Sequence, residues 1–274
     1  MNSPIKLAIL DMYKGAPNQG MRCIHEIIEA FRQSDVPDLE VEVFDVRGKA
    51  QVPDLSFDIY ISTGGPDSPL PSSDEWERLY FNWFDSLLKH NTYKTKKKFV
   101  FLICHSFQMV AQHLGIGRVT KRRSTSFGTF PIHKTDHGKQ EQFFSNLPDP
   151  FWAVDSRDYQ LVEANWEQIE KINATVLCRE KIRHHVPLER AIMAVRFTPE
   201  VFGTQFHPEA DAAGMVYHFS HPDIREKVIA NHGQQKFNDM IEHLNDKDKI
   251  LLTESVIIPT FLRNATEQLI GELA

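Results

Sequence analysis

The sequence predicts an α/β fold in which helices cover a central, mostly parallel β-sheet. Short apolar segments alternate with longer segments of helical periodicity through the first half of the chain, which is the pattern of repeated βαβ units. Hydrophobic residues make up 41% of the 274 residues and charged residues 25%. This is the composition of a folded globular chain and not of a disordered one.

The first half of the chain carries the clearest strand and helix signals. Residues 98–103 are almost continuously apolar, as expected of a central strand covered on both faces. Apolar residues at helical spacing predict helices over 20–33, after the Ser73-Asp74 cap, and over 106–114. Further strands are predicted over residues 5–10, 41–46 and 58–62.

The second half alternates shorter strands and then becomes helical. Strands are predicted over residues 126–132, 151–154, 174–179, 191–197 and 201–205. Residues 210–274 are predicted to be mainly helical, with caps or breaks at Pro222, Gly233, the charged run 245–249 and Pro259.

Net charge and cysteine content exclude several classes of partner and site. The formal net charge is −6, so the chain lacks the basic field that holds a nucleic-acid backbone, and we expect no nucleic-acid partner. The basic clusters at 94–98 and 121–123 are predicted to be solvated loops or strand ends. The three cysteines lie far apart without CxxC spacing, which predicts neither disulfides nor zinc. Without a signal peptide or a stretch of ~20 apolar residues, we expect a cytoplasmic protein that does not bind membranes.

Cys104 is the first candidate for chemistry. A single cysteine after a buried strand is often only a small hydrophobic residue. Here, however, it lies between a predicted strand and a predicted helix, at the carboxyl edge where open α/β sheets place their sites. A sharp strand-to-helix turn exposes a nucleophile, and the helix N-terminus favours the thiolate.

A nucleophilic cysteine also needs a base and a group that stabilises the oxyanion. His207 follows a predicted strand, and Pro208 fixes the backbone so that Glu209 can orient the imidazole. The glycines of the Thr63-Gly64-Gly65-Pro66 turn allow a ligand to approach the backbone closely. The N–H groups of Gly65 and His105 can then hold an oxyanion, although the same tetrapeptide is also compatible with a plain β-turn.

These three segments, in this order, resemble the class I glutamine amidotransferases, and most closely the amidotransferase domain of GMP synthase and its stand-alone relatives. Thr63-Gly64-Gly65-Pro66 resembles the family's oxyanion segment. Residues 103–108 (ICHSFQ) resemble its cysteine elbow, and residues 204–209 (TQFHPE) its His-x-Glu end. The resemblance covers residues 5–215. It implies a flavodoxin-like three-layer sandwich over residues 1–215 and leaves 216–274 as a helical C-terminal extension packed on it.

The resemblance also implies a mechanism and a set of site residues. Cys104, His207 and Glu209 would form a triad that hydrolyses the glutamine side-chain amide through a γ-glutamyl thioester, without a cofactor or a metal. The candidate substrate-binding residues are Gly64, Gln108, Arg157 and Asp158. The histidines His218, His221, His232 and His243 have no convincing metal-ligand spacing. We expect His105 and the His184-His185 pair to be structural or surface residues, although His105 can tune its neighbour Cys104.

Two departures from the family pattern leave alternatives open. Leu102 and Ser106 stand where the family's elbow has glycines, and residues 155–159 (DSRDY) contain no glycine where the family grips the α-amino and α-carboxyl groups. Either Arg157 or Asp158 replaces that contact, or the substrate is not free glutamine. The alternatives to a glutaminase are therefore a γ-glutamyl hydrolase or transferase acting on a γ-glutamyl conjugate, and a non-catalytic protein of the same fold.

The expected partners follow from what the chain lacks. The residues after 215 contain no glycine-rich phosphate loop and are too few for the ATP-pyrophosphatase of GMP synthase. Any acceptor of ammonia is therefore expected on another chain, such as a synthetase subunit. The helical tail is expected to cover the site or to form a homodimer contact.

Overall fold

A computed structural model describes residues 4–16, 18–182, 188–244 and 246–271. Its nine strands join in one sheet. The strands are β1 Lys6–Asp11, β2 Glu40–Asp45, β3 Ile59–Ser62, β4 Phe99–Ile103, β5 Arg118–Lys134, β6 Phe151–Val162, β7 Thr175–Glu180, β8 Ile192–Thr198 and β9 Val201–Thr204. Their order across the sheet is β2-β1-β3-β4-β9-β8-β7-β5-β6.

Helices connect the strands and follow the last one. They are α1 Gln19–Ser34, α2 Val46–Lys49, α3 Glu75–Tyr93, α4 His105–His113, α5 Asp136–Gln140, α6 Trp166–Lys171, α7 Ala212–Ser220, α8 Pro222–His232, α9 Gln234–Leu244 and α10 Leu252–Gly271. A short 3-10 turn spans Gln142–Phe144, and an irregular turn spans Lys247–Leu251. The elements predicted in the first half of the chain all occur, with small shifts at their ends.

The sheet is mixed, which corrects the prediction of a mostly parallel sheet. The pairings β1–β2, β1–β3, β3–β4 and β4–β9 are parallel. The pairings β5–β6, β5–β7, β7–β8 and β8–β9 are antiparallel. The first four strands build the parallel part through helical crossovers and are joined there by β9. The strands β5 to β8 form the antiparallel part.

Helices cover both faces of the parallel strands. Along β3, Ile59 and Ile61 belong to a core that includes apolar residues of α1 and α10. Tyr60 points to the other face and belongs to a core with α3 and α4. Because successive strand residues face opposite sides, a strand buried on both faces must be apolar throughout, as β4 is.

Local signals start the helix that follows β1. The side chain of Asn18 accepts a hydrogen bond from the backbone N–H of Met21, which satisfies one of the free donors at the start of α1. Ile24, Ile28 and Phe31 then fall on one face of the helix and are buried against the sheet. The helix therefore begins and packs as its sequence predicts.

The β5–β6 hairpin is longer than predicted and curls back toward the middle of the sheet. Its outer part includes the cluster 121–123, predicted as a solvated loop or strand end, and Arg122 in this strand forms a hydrogen bond to Gln160 of β6. Where the hairpin curls, Val154 forms an isolated antiparallel bridge with His207. The curl thus brings β6 to the residues that follow β9.

The C-terminal helices pack on the rest of the chain. Residues of α7, α8 and α9 form a small apolar core with Val154 of β6. Helix α10 buries Ile257 and Phe261 in the main core. Pro259, predicted as a break or cap, lies inside α10 without ending it. The division of the chain at residue 215 stays a prediction. In the described residues, no helix combines the length and apolarity that a membrane span requires.

Candidate active site

Cys104 lies on a sharp turn between β4 and α4. Its φ of +46° and ψ of −92° fall in a region that residues other than glycine rarely adopt. The turn is held because the Cys104 N–H donates to the Thr204 carbonyl at 2.8 Å and the Cys104 carbonyl accepts from the Gln108 N–H at 3.0 Å. The N-terminus of α4 therefore starts at the sulfur-bearing residue, where a helix favours negative charge.

Ser106 occupies one position where the family pattern has glycine. Its hydroxyl accepts a hydrogen bond from the Ile103 N–H at 3.0 Å and donates to the Ser62 carbonyl at 2.7 Å. The side chain is fully buried. Ser106 therefore links the end of β4 to the end of β3. Serine is small enough to replace the family's glycine at this position of the elbow, and its hydroxyl adds two hydrogen bonds.

Leu102 occupies the other such position, and the neighbouring strand makes room for it. Leu102 pairs with Gly203 of β9 in the parallel register. A Cβ atom on Gly203 would lie 2.8 Å from Cδ2 of Phe107 and 3.2 Å from Cβ of Leu102. The space needed for close packing of helix and strand is thus provided by the glycine of β9.

His207 and Glu209 form a rigid pair beside the elbow. His207 Nδ1 lies 2.8 Å from Glu209 Oε1, and the His207 backbone N–H donates to the Val154 carbonyl at 2.8 Å. The Glu209 side chain is only 1% exposed. Burial acts to lower the pKa of His207, but the negative charges of Glu209 and Cys104 and hydrogen bonds to both outweigh it, so this pKa is raised well above its ordinary value.

The glycine turn lies against the side chains of His207 and Cys104. A Cβ atom on Gly64 would lie 2.8 Å from Cε1 of His207 and 3.6 Å from Cβ of Cys104. A Cβ atom on Gly65 would collide with the Met12 carbonyl oxygen. The turn can therefore approach the imidazole and the elbow only because it lacks side chains, and this brings the three predicted motifs together.

His105 has a buried neutral side chain. Burial, assisted by the nearby positive charge of Arg47, lowers the pKa of His105 to about 3, while Asp67 opposes the shift. Its Nε2 atom is buried without a hydrogen-bond partner among the described residues. The predicted oxyanion role therefore concerns only the backbone N–H of His105 at the start of α4.

Arg47 holds the glycine turn from behind and was not predicted from the sequence. Its Nη1 atom donates to the carbonyls of Met12 at 3.1 Å and Pro66 at 2.6 Å, and its Nη2 atom lies 3.1 Å from Asp67. Although the side chain is charged, it is only 6% exposed. The available signal was its position directly after the second predicted strand, at the same edge of the sheet as the turn.

Gln205, also missed, connects the predicted Gln108 to the sulfur. The Gln108 side-chain amide donates to Gln205 Oε1 at 2.7 Å, and the Gln205 amide donates to Cys104 Sγ at 3.5 Å. Both glutamines are buried. The signal in the sequence was the position of Gln205 within the TQFHPE segment, two residues before the histidine.

The predicted substrate-gripping segment 155–159 lies in strand β6. The Arg157 guanidinium donates through Nε to Asp155 at 2.9 Å and through Nη2 to Glu180 at 3.4 Å. Asp158 is exposed and accepts a hydrogen bond from the Thr125 hydroxyl. The carbonyl of Ser156, the residue before Arg157, accepts from the Cys104 thiol at 3.7 Å. Contacts of Arg157 and Asp158 with a substrate stay predictions.

Two cavities meet at these residues. The smaller, of about 160 Å³, is lined by Cys104, His105, Gln108, Arg157 and Asp158. The larger, of about 330 Å³, is lined by His207 and Glu209. Both include Gly65, Pro66 and Ser156 in their walls. The thiol therefore faces one cavity and the imidazole–carboxylate pair faces the other.

Tyr13, which follows β1, also lines the larger cavity and was not predicted. A Cβ atom on Gly64 would lie 3.4 Å from its hydroxyl oxygen. Burial, and then the negative charges of Glu209 and Cys104, raise the pKa of Tyr13 well above its ordinary value. The hydroxyl therefore keeps its proton beside the His207–Glu209 pair and can act as a hydrogen-bond donor.

Among the histidines whose side chains the structure describes, none besides His105 and His207 lines these two cavities. In the portion of the chain that the structure covers, no group of three or more His, Cys, Asp or Glu side chains is arranged to hold a metal ion. His221 is exposed and contacts the Tyr217 ring edge-on. The His184-His185 pair lies outside the described residues, as do the side chains of His218, His232 and His243.

Solved structures show where this architecture occurs elsewhere. A glutamine amidotransferase from Thermotoga maritima superposes with a TM-score of 0.66 at 14% identity, covering 97% of this chain and 100% of its own. One from Methylobacillus flagellatus gives 0.62 at 13% identity, with coverages of 98% and 94%. The glutaminase domain of Trypanosoma brucei CTPS with bound acivicin gives 0.56 at 12% identity, with coverages of 77% and 88%. At these identities the likeness concerns the fold alone.

The sequence itself assigns the family. No curated protein sequence matches the chain. Residues 17–217, however, match the family model of glutamine amidotransferase class-I. The matched range contains both the cysteine elbow and the His-x-Glu segment. The resemblance stated from the motifs is thereby confirmed. This chain belongs to the class-I glutamine amidotransferase family.

Proposed function

We propose that the protein hydrolyses the side-chain amide of glutamine, with Cys104 as nucleophile, His207 as general acid and base, and Glu209 as the residue that orients His207. The observation that carries the proposal is the positive-φ elbow of Cys104 directly opposite the buried His207–Glu209 pair. A nucleophile, a base and an orienting acid within mutual reach are the requirements of a cysteine amidohydrolase.

The first half of the reaction forms a thioester. The raised pKa of His207 favours an imidazolium at neutral pH, and an adjacent imidazolium stabilises the thiolate of Cys104. The sulfur attacks the amide carbon of glutamine, and the C–N bond breaks. His207 gives its proton to the departing nitrogen, so that ammonia leaves and the γ-glutamyl group stays on Cys104.

The developing oxyanion is held by backbone donors. The proposed donors are the N–H groups of Gly65 and His105, one on the turn after β3 and one at the start of α4. Arg47 holds the Met12 and Pro66 carbonyls on either side of the turn, so these donors need not reorganise during the reaction. The neutral state of the buried His105 imidazole keeps a second positive charge away from the helix terminus.

The second half of the reaction releases glutamate. His207, now neutral, takes a proton from water, and the hydroxide attacks the thioester carbon. The C–S bond breaks, glutamate leaves, and the proton returns the pair to its resting state. Gln108, Gly64, Arg157 and Asp158 remain the proposed contacts of the glutamyl group in the smaller cavity, which they line or border.

We further propose a GMP synthase-like use of the ammonia, by an acceptor on another chain. Family membership supports this, since class I amidotransferase domains supply ammonia to synthase partners. A candidate synthetase subunit should raise the kcat of glutamine hydrolysis by this chain. With the Cys104→Ala chain, the same synthetase should work only when ammonium salt is added. Activity with glutamine and the Cys104→Ala chain would contradict the proposal.

The test of the hydrolysis itself is a pair of cysteine substitutions. Cys104→Ala is expected to lower glutamate formation at least ~10³-fold, since removal of a triad nucleophile leaves only binding and oxyanion stabilisation. Cys178→Ala is the matched control, because Cys178 is a buried free cysteine within the core. It should keep the activity. Equal activity of the two variants would rule out Cys104 as nucleophile.

A further inference from the structure

The larger cavity lies on the side of the triad from which the nitrogen departs. Cys104 lines the smaller cavity, whereas His207 and Glu209 line the larger one. In the proposed mechanism the imidazole protonates the leaving nitrogen, so the leaving group must be on the imidazole side of the scissile bond. Whatever is bonded to that nitrogen therefore extends into the larger cavity.

The size of this cavity exceeds what ammonia requires. Its volume is about 330 Å³. A molecule of the size of water or ammonia takes up on the order of 30 Å³. Cavities that hold organic ligands begin at roughly 300 Å³. The leaving-group side is thus large enough for an organic substituent on the amide nitrogen.

The walls of this cavity are mostly apolar. They include side chains of Ala16, Phe127, Val154, Ala210 and Met215. The acidic groups that border the cavity are already engaged, because Glu209 binds His207 and Asp211 binds Arg22 at 2.7 Å. A substituent that is apolar is therefore favoured over one that carries a charge.

We propose that the site takes, besides glutamine, a γ-glutamyl amide whose nitrogen carries an apolar aliphatic or aromatic group. This inference rests on the proposed function, since it uses the same triad. Cys104 Sγ bonds to the γ-carbon, the C–N bond breaks, and His207 protonates the amine that leaves. Water then cleaves the thioester, so the products are glutamate and the free amine.

Comparison of three substrates tests the proposal. The probes are glutamine, γ-glutamyl-n-butylamide and γ-glutamylbenzylamide, each assayed for glutamate release by the full chain. The kcat/KM for the two substituted amides should exceed that for glutamine at least ~10-fold, because even one methylene in a matching apolar pocket contributes about that factor. Cleavage of glutamine with slower cleavage of both amides would overturn this inference and leave the glutaminase proposal standing. Absence of glutamate release from all three would overturn both.

Substitutions in the cavity wall separate this effect from general changes in activity. Met215 is buried in α7 and lines the cavity, whereas its neighbour Val216 is 44% exposed. Met215→Trp should lower the ratio of benzylamide to glutamine kcat/KM at least ~10-fold, and Val216→Trp should leave the ratio unchanged. Ala16→Phe fills the cavity from an exposed loop position. It should lower the same ratio without lowering the stability of the fold. An unchanged ratio in both cavity variants would overturn the proposal.

Discussion

Removal of the charge on Glu209 tests the catalytic role that we propose for this carboxylate. Glu209→Gln keeps the size of the side chain and an oxygen that can accept the hydrogen bond from His207 Nδ1, now 2.8 Å away. It removes the negative charge that stabilises the imidazolium. Two unit charges about 4 Å apart interact by ~4 kcal/mol at an effective dielectric constant of 20. Because 1.36 kcal/mol is a factor of ten in rate, we expect kcat/KM to fall ~10³-fold.

The assay is glutamate release over a range of glutamine concentrations. Glu200→Gln is the matched control, since it removes the same charge at the opposite end of β9, where the Glu200 carboxylate accepts from the Thr198 hydroxyl at 3.0 Å. The control should retain wild-type kcat/KM. A loss below 10-fold in Glu209→Gln, with the fold intact by circular dichroism, would refute the argument that this carboxylate stabilises the imidazolium.

The pH dependence gives the same substitution a second, independent signature. The raised pKa of His207 keeps the imidazolium present to higher pH, and the Glu209 charge is the largest of the causes that raise it. Glu209→Gln should therefore shift the alkaline limb of kcat/KM to lower pH. Protonated His207 beside Glu209 also contributes to the free energy of unfolding. This contribution is complete below the pKa of histidine in the unfolded chain, about 6.5, and is lost as the pH rises through the raised pKa of His207 in the folded protein. An unshifted alkaline limb would contradict the assignment of this limb to His207.

Three further predictions concern the elbow and the residues behind it. Gly203→Ala should destabilise the fold by about 1–3 kcal/mol through overpacking against Phe107 and Leu102, measured by denaturant unfolding; an unchanged midpoint would contradict the packing argument. Between pH 6.5 and pH 5 the unfolded chain binds a proton on His105 that the folded chain, where the pKa of His105 is about 3, does not bind, so the free energy of unfolding falls as the pH falls. His105→Leu should reduce the slope of this fall by up to ~1.4 kcal/mol per pH unit. Equal slopes in the two proteins would contradict this prediction. Arg47→Ala should slow glutamine hydrolysis ~10-fold or more and cost about 2 kcal/mol of stability, since a buried guanidinium donates to two carbonyls; wild-type kinetics would exclude its positioning role.

The parallel half of the sheet and the elbow could be predicted from the sequence because local signals and fold agree there. An apolar run as short as 98–103, rich in aromatic and β-branched residues, favours a strand covered on both faces, and a turn must follow where helical periodicity resumes. Cys104 is therefore found where its strand and helix meet. The order of the glycine turn, the elbow and His207 also sufficed to assign the family.

In the second half of the chain, each predicted strand overlaps one of β5 to β9. The full lengths of β5 and β6 and their antiparallel pairing were not predicted, because the outer parts of these two strands are polar. Arg122 and Gln160 satisfy each other across the β5–β6 hairpin, so their segments lack the apolar alternation that marks a strand. The curl that brings Ser156 to the sulfur of Cys104 depends on tertiary packing alone. Pro259 was misjudged since α10 tolerates a proline when its buried residues hold the helix in the core.

Residues that position other residues of the site could hardly be predicted from the sequence around them. Gln205 and Arg47 reach the site through side-chain hydrogen bonds to partners distant in sequence, which spacing does not reveal. The compensation of Leu102 by Gly203 is likewise visible only once the register of β4 and β9 is known. A departure from a family pattern at one strand can thus be offset at its neighbour.

The most direct test of the central claim is mass spectrometry of the protein after reaction with a glutamine-mimicking diazoketone. The account predicts one covalent adduct per chain, located on Cys104, absent from Cys23 and Cys178, and slowed by added glutamine. Burial raises the pKa of Cys23 to about 12 and that of Cys178 well above its ordinary value, so both should stay unreactive thiols. Hydrolysis of glutamine by a chain in which Cys104 remains unmodified under saturating reagent would contradict the claim that this thiol is the nucleophile.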